Sequence, residues 1–214
     1  MKLFIAGDST ASIKQENKRP ESGWGEYLKS FISPNLEIKN YATNARSTKS
    51  FIAEGRLFQI ETEIETGDFL LVQFGHNDSK DDPLRYTKPF EDYQDNLERF
   101  AVVATNNHAT PIFISSITRR WFKDGKLDPL ALGDYPKAMK EFCLKNNYPF
   151  IDMFKISQKL INDLGEENSK ALFNHLLPNE HQNYPEGKID NTHFSPYGAK
   201  LFASLIAIEL RKYI

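Results

Sequence analysis

The sequence predicts an α/β fold built on a parallel sheet. Short apolar runs recur at Leu3-Phe4-Ile5-Ala6, Phe69-Leu70-Leu71-Val72-Gln73-Phe74 and Pro111-Ile112-Phe113-Ile114. They are near-continuous rather than alternating, which suits strands covered on both faces. Helical stretches separate them, and that alternation implies right-handed βαβ crossovers. In such open sheets, ligands bind where loops diverge at the carboxyl edge.

The first strand breaks into Gly7-Asp8-Ser9-Thr10, which puts Ser9 at that edge. Residues 11–22 are polar and read as a loop, and Gly23-Trp24-Gly25-Glu26-Tyr27-Leu28 leads into a short helix that ends before Pro34. A second strand is expected over Leu36 to Tyr41, then a loop at Asn44-Ala45-Arg46-Ser47. Ser47 or Thr48 is placed to cap a helix whose apolar face is Phe51, Ile52, Leu57 and Ile60. The third strand, Phe69 to Phe74, stops at Gly75-His76-Asn77-Asp78. A helix from about Phe90 to Asn106 precedes the fourth strand, Pro111 to Ser115. Residues 118–132 form a longer connection rich in basic and aromatic side chains. A helix from about Asp134, a short strand Phe150-Ile151-Asp152 and helical material from Phe154 to about Leu176 follow. Asp190 to Gly198 reads as an irregular segment closed by Ser195 at N-cap and Pro196 at the first helical position. The last helix is expected to bury Leu201, Phe202, Leu205 and Ile208.

A chain of 214 residues without repeat, low-complexity tract or linker is expected to fold as one domain, residues 1–214. Hydrophobic residues at 40% and charged residues at 26% are ordinary for a soluble globular protein. A net charge of -2 gives no global field toward nucleic acid or a membrane, so neither is expected as a partner. No apolar run approaches the roughly 20 residues that span a bilayer. Met1-Lys2 leads directly into a strand and not into a signal-type apolar segment, so a cytoplasmic location is expected; a secreted form whose signal preceded residue 1 stays open. Cys143 is the only cysteine and admits no disulfide framework. His108, His175 and His181 have no partner at metal-ligand spacing, and no metal or cofactor is expected.

A hydrolytic serine needs a base within reach, a carboxylate to orient the base, and donors aimed at the developing oxyanion. Asp190 and His193 stand three residues apart, close enough for the carboxylate to bond one ring nitrogen and leave the other free. Asn77 follows a strand and can present side-chain N–H groups at the same edge, and the backbone N–H groups of Ser9 and Ala45 can complete an oxyanion hole. Each feature has a plainer use: Ser9 as a cap, Asn77-Asp78-Ser79 and Asp190-Asn191 as turns, His193 as a surface residue. It is their joint placement after strands that points to chemistry.

These same residues resemble the SGNH (GDSL-type) hydrolase superfamily and, within it, the rhamnogalacturonan acetylesterase family. The resemblance rests on five blocks in order: Gly7-Asp8-Ser9-Thr10, Gly23-Trp24-Gly25-Glu26, Asn44-Ala45-Arg46-Ser47 with Glu54-Gly55-Arg56, Gly75-His76-Asn77-Asp78, and Asp190-Asn191-Thr192-His193-Phe194-Ser195. It implies a flavodoxin-like three-layer sandwich with a central parallel sheet of about five strands. It implies Ser9 as nucleophile, His193 as base, Asp190 as its orienter, and Ser9, Ala45 and Asn77 as oxyanion donors. The implied substrate is an acetylated, pectin-derived oligosaccharide. One departure stands out: relatives usually carry glycine where this chain has Ala45. At a positive φ an alanine is strained by roughly 1–2 kcal/mol.

Candidate substrate contacts are Arg46, Lys49, His76, Arg119, Arg120 and Trp121, because galacturonate chains are anionic and sugars stack on aromatic rings. Trp24 reads as a core or wall residue. Other readings are a GDSL esterase acting on xylan, peptidoglycan or small esters, and a non-catalytic flavodoxin-like binding module. The module is disfavoured by the absence of Gly-x-Gly-x-x-Gly and of a Walker-type loop. Oligomeric state is not encoded in any pattern here.

Overall fold

Alternate residues of the first strand pack into two different cores. In β1 (Lys2–Gly7), Leu3 and Ile5 join one apolar cluster while Phe4 and Ala6 join another. A strand can do this only when both faces of its sheet are covered. The computed structural model describes all 214 residues, Met1–Ile214. Around β1 lie β2 (Glu37–Asn40), β3 (Phe69–Gln73), β4 (Thr110–Ile114) and, after a two-stranded hairpin of β5 (Phe122–Lys123) and β6 (Lys126–Leu127), β7 (Phe150–Ile151). Together β2-β1-β3-β4-β7 make one five-stranded sheet in that order, every pair parallel.

The helices are α1 (Trp24–Tyr27), α2 (Thr48–Ala53), α3 (Arg56–Glu61), α4 (Asp92–Asn106), α5 (Tyr135–Asn146), α6 (Met153–Asn168) and α7 (Pro196–Leu210). Trp24, Met153, Ile161, Phe202 and Ile206 cover the Leu3/Ile5 face. Phe51, Leu57, Leu97, Phe100, Met139 and Phe142 cover the other, where Cys143 is buried too. The expected three-layer α/β sandwich is therefore the observed one. No helix is long and apolar enough to cross a membrane.

Four local expectations are corrected. The single helix after Ser47 is two, because Gly55 adopts φ 72 between α2 and α3. The connection after Thr118 contains the β5–β6 hairpin, which has no long apolar run to announce it. The helical reading to Leu176 ends early: after a 3-10 turn at Ser169–Leu172 the chain forms β8 (Phe173–Leu176). On α7 the buried stripe is Phe202, Ile206 and Leu210, with Ile208 52% exposed.

Strand order fixes where a site can form. The chain passes from β1 to β2 on one side and then to β3 on the other, so the loops after β1 and β3 part at the carboxyl edge. That divergence is the topological switch point of a doubly wound sheet. Ser9 and Asn77 both lie there, with Ala45 in the loop after β2.

Candidate active site

Ser9 stands on a tight turn whose geometry is set by its neighbour. The buried Asp8 carboxylate accepts from the Thr10 N–H at 2.9 Å and the Thr10 hydroxyl at 2.7 Å, and the Asp8 carbonyl accepts from the Ala11 N–H at 3.2 Å. Burial pushes the Asp8 carboxyl up, but His76 and the Thr10 donors bring it below its usual value. Gly23 and Gly25 let the turn pack against α1: a Cβ at Gly23 would fall 2.1 Å from the Ser12 carbonyl oxygen, and one at Gly25 would fall 2.3 Å from that of Ala11. Trp24 between them is fully buried and donates to Gln73 Oε1 at 2.9 Å, a wall residue as expected.

His193 arrives on β9 (Lys188–Phe194), which pairs antiparallel with β8. The expected irregular segment is thus a strand, but a strongly bulged one. Phe173 pairs with Phe194 and His175 with Ile189, so Asp190 to His193 stand opposite Asn174 alone. An ideal strand would send residues i and i+3 to opposite faces. The bulge instead lets Asp190 Oδ1 accept from the N–H groups of Thr192 and His193, each at 2.9 Å. Asp190 Oδ2 then accepts from His193 Nδ1 at 2.8 Å, the bond that selects the tautomer of a neutral ring in which Nε2, 2.9 Å from Ser9 Oγ, is the acceptor. Burial raises the Asp190 carboxyl, yet its bonds and charge contact with His193 hold it well below the usual range.

Three donors face this edge. Neither the Ser9 nor the Ala45 backbone N–H has a protein acceptor, and Asn77 Nδ2 donates one hydrogen to the Arg46 carbonyl at 3.1 Å, leaving its second free. Ala45 sits at φ 63, so the strained alternative for that residue is the one realised. Asp78 fastens the same loop to α2 by accepting from the Thr48 N–H at 3.0 Å, and to the segment before α4 by accepting from the Thr87 hydroxyl at 3.1 Å. Burial pushes its carboxyl up to about 7 against those donors.

The candidate substrate contacts separate into two groups. Arg119 donates to the His76 carbonyl at 3.0 Å, and its guanidinium lies 4.7 Å over the ring of Trp121, itself 44% exposed. Burial lowers the Arg119 pKa and Asp8 raises it. The remaining contacts are engaged elsewhere. Arg46 pairs with Glu54 at 2.9 Å, Lys49 donates to the Pro83 carbonyl at 2.7 Å, and Arg120 is buried against Ser169 Oγ, Asn191 Oδ1 and the Glu166 carbonyl. His76 is buried, with Nδ1 3.3 Å from Asp8 Oδ2 and Nε2 unpartnered.

Lys14, Glu21 and Lys188, which no sequence motif marks, are gathered by the fold beside Asp190. Ligand atoms of Glu21, Asp190 and His193 lie within 4.8 Å of one another, close enough to hold a metal ion. Lys188 Nζ already meets both carboxylates, at 3.4 Å from Glu21 and 3.2 Å from Asp190, and so supplies the cation that the acidic pair calls for.

Residues 3–206 match the family model of GDSL-like lipases and acylhydrolases. The chain is 42% identical over 207 residues to the rhamnogalacturonan acetylesterase RhgT of Bacillus subtilis, covering 97% of this chain and 88% of that protein. It is 34% identical to the probable rhamnogalacturonan acetylesterase YesY of the same organism, over 98% of this chain and 92% of that one. In fold it is similar to the acetylxylan esterase Axe2 of Geobacillus stearothermophilus, with TM-score 0.67 at 16% identity over 98% of this chain and 93% of that one. The YxiM protein of Bacillus subtilis superposes with TM-score 0.82 at 19% identity; the chain covers 56% of that longer one and is itself covered to 99%.

Proposed function

Because the chain belongs to the GDSL-like lipase/acylhydrolase family, we propose that it is a rhamnogalacturonan acetylesterase working through Ser9, His193 and Asp190 within a single domain. The observation that carries the roles is the unbroken line from Asp190 Oδ2 through the imidazole to Ser9 Oγ, at 2.8 and 2.9 Å. The choice of acyl group and sugar is supported by the acetylesterase activity named for RhgT at 42% identity.

His193 Nε2 takes the Ser9 proton as Oγ attacks the acetyl carbonyl. Asp190 stabilises the imidazolium that results. The developing oxyanion is met by the Ser9 and Ala45 N–H groups and the free Asn77 amide hydrogen. His193 then gives its proton to the departing sugar oxygen, which breaks the ester and leaves an acetyl-enzyme. Water, deprotonated by the same nitrogen, releases acetate. Arg119 and Trp121 form a ledge beside this point: a fixed cation for a uronate and an aromatic face for a sugar ring. Arg120 and Arg46 play no part in substrate contact in this reading, since Arg120 is buried and Arg46 is already paired with the Glu54 carboxylate.

A product-resolved deacetylation assay tests the whole reading. Acetylated rhamnogalacturonan oligosaccharides, acetylated xylan and p-nitrophenyl acetate are compared with wild type and Ser9→Ala. The expected result is preferred release from the rhamnogalacturonan series and none from Ser9→Ala. Equal or better release from xylan would move the substrate assignment.

A further inference from the structure

The side chains behind His193 close a ring that begins and ends at the nucleophile. The Lys14 side chain is fully buried, and its ammonium donates to Glu21 Oε1 at 2.9 Å, to Asn44 Oδ1 at 2.7 Å and to the Ser9 carbonyl. Glu21, only 6% exposed, turns its other oxygen to Lys188 at 3.4 Å, and Lys188 reaches Asp190 at 3.2 Å. Ser12 Oγ reaches the same two acceptors, 2.7 Å from Asn44 Oδ1 and 3.2 Å from the Ser9 carbonyl, with its one hydrogen for the shorter contact.

A buried ion pair is a poor stabiliser, because desolvation consumes most of its attraction. This one is aimed at the site. Its cation holds the nucleophile's own peptide and the residue before Ala45, and its carboxylate lies within 4.8 Å of the His193 and Asp190 ligand atoms.

We propose that Glu21 is a second carboxylate serving His193, sharing with Asp190 the stabilisation of the imidazolium formed in each proton transfer, and that Lys14 and Lys188 are the positioning residues that hold it there. The inference rests on His193 being the base. Burial raises the Glu21 carboxyl, but the charge that His193 carries as an imidazolium, with those of Lys14 and Lys188, brings it below its usual value. The charged groups facing the imidazole are Asp190 on its own strand and Glu21 from the loop before α1. Lys188 bridges the two and Lys14 lies behind Glu21. The Asp8 carboxylate is turned to His76 and Thr10.

The test is the pH dependence of kcat/KM on p-nitrophenyl acetate. Glu21→Gln removes a negative charge near the imidazolium, so the acid limb moves to lower pH by about 1 unit. Lys188→Met removes a positive one, so the limb moves to higher pH. Loosening of the site cannot give opposite signs. Glu21→Gln alone strands the buried Lys14 charge, so Lys14→Met/Glu21→Gln, which removes both, covers the case of misfolding and keeps the shift to lower pH. In both Glu21 variants kcat falls about ten-fold while KM holds within about two-fold, the mark of an interaction made in the transition state. Limbs that stay put, or move together in the Glu21 and Lys188 variants, overturn the inference alone if Ser9→Ala is inactive. Turnover surviving in Ser9→Ala overturns the catalytic reading beneath it as well.

Discussion

Asn77 Nδ2 donates to the Arg46 carbonyl at 3.1 Å, which ties the loop after β3 to the loop that carries Ala45. Two of the three candidate oxyanion donors are therefore held in one unit, with one Asn77 hydrogen spent on the tie and the other without a protein acceptor. Preorganised donors of this kind need no reorientation when charge develops.

Asn77→Ala removes a donor and the tie together. Loss of one oxyanion donor costs about 10²–10³-fold in kcat. The tie is one partly buried hydrogen bond, so its loss costs about 1 kcal/mol of stability. Steady-state kinetics and urea unfolding on the same preparation check both numbers; a loss confined to KM would remove Asn77 from the transition state.

Ala45→Gly relieves the left-handed backbone at φ 63. The relief is about 1–2 kcal/mol, offset by about 0.4–1 kcal/mol from the freer unfolded chain. Ala45 is exposed, so no core contact is lost. The variant should unfold at the same or slightly higher temperature and keep kcat within a few-fold. A large gain in kcat would show that alanine distorts the oxyanion hole.

Asp190→Asn keeps the shape and loses the charge. By analogy with serine triads in general, kcat should drop about 10⁴-fold. The Asp190 carboxyl is held well below its ordinary value, so its contribution to stability is fully present above the unfolded value near pH 3.9 and fades as pH falls through the lower folded one. Urea unfolding of wild type and variant should therefore differ at pH 7 and converge as the pH is lowered below about 3.9.

Arg119→Ala should raise KM for uronate-containing oligosaccharides more than for p-nitrophenyl acetate, by about ten-fold in the ratio. Arg119→Lys should restore little, since an ammonium neither stacks on Trp121 nor presents a planar fork. Parallel changes on both substrates would place Arg119 in the scaffold.

Local pattern was enough for the sheet and for the catalytic candidates. Apolar runs must be buried on both faces, and the residues that end them at Gly7-Asp8-Ser9 and Gly75-His76-Asn77 must then emerge at one edge. Asp190 and His193 were legible as a pair because their spacing is short. Their strand was not, because its bulge breaks the period that marks strands. The β5–β6 hairpin escaped for a related reason, each strand having only two residues.

What the sequence determined by itself is whatever depends on neighbours along the chain: the β1 and β3 cores, the Ser47 and Ser195 caps, and the close spacing of Asp190 and His193. Tertiary structure alone decided what depends on neighbours across it. It set the left-handed φ of Ala45, the withdrawal of Arg120 and Arg46 into protein contacts, and the meeting of Lys14, Glu21 and Lys188 around His193. Lys14 and Glu21 sit in a polar stretch with no periodicity, and a charge reads as solvated until the fold shows it buried. Only closure of the chain, bringing residue 193 against residue 9, gave those charges something to act on.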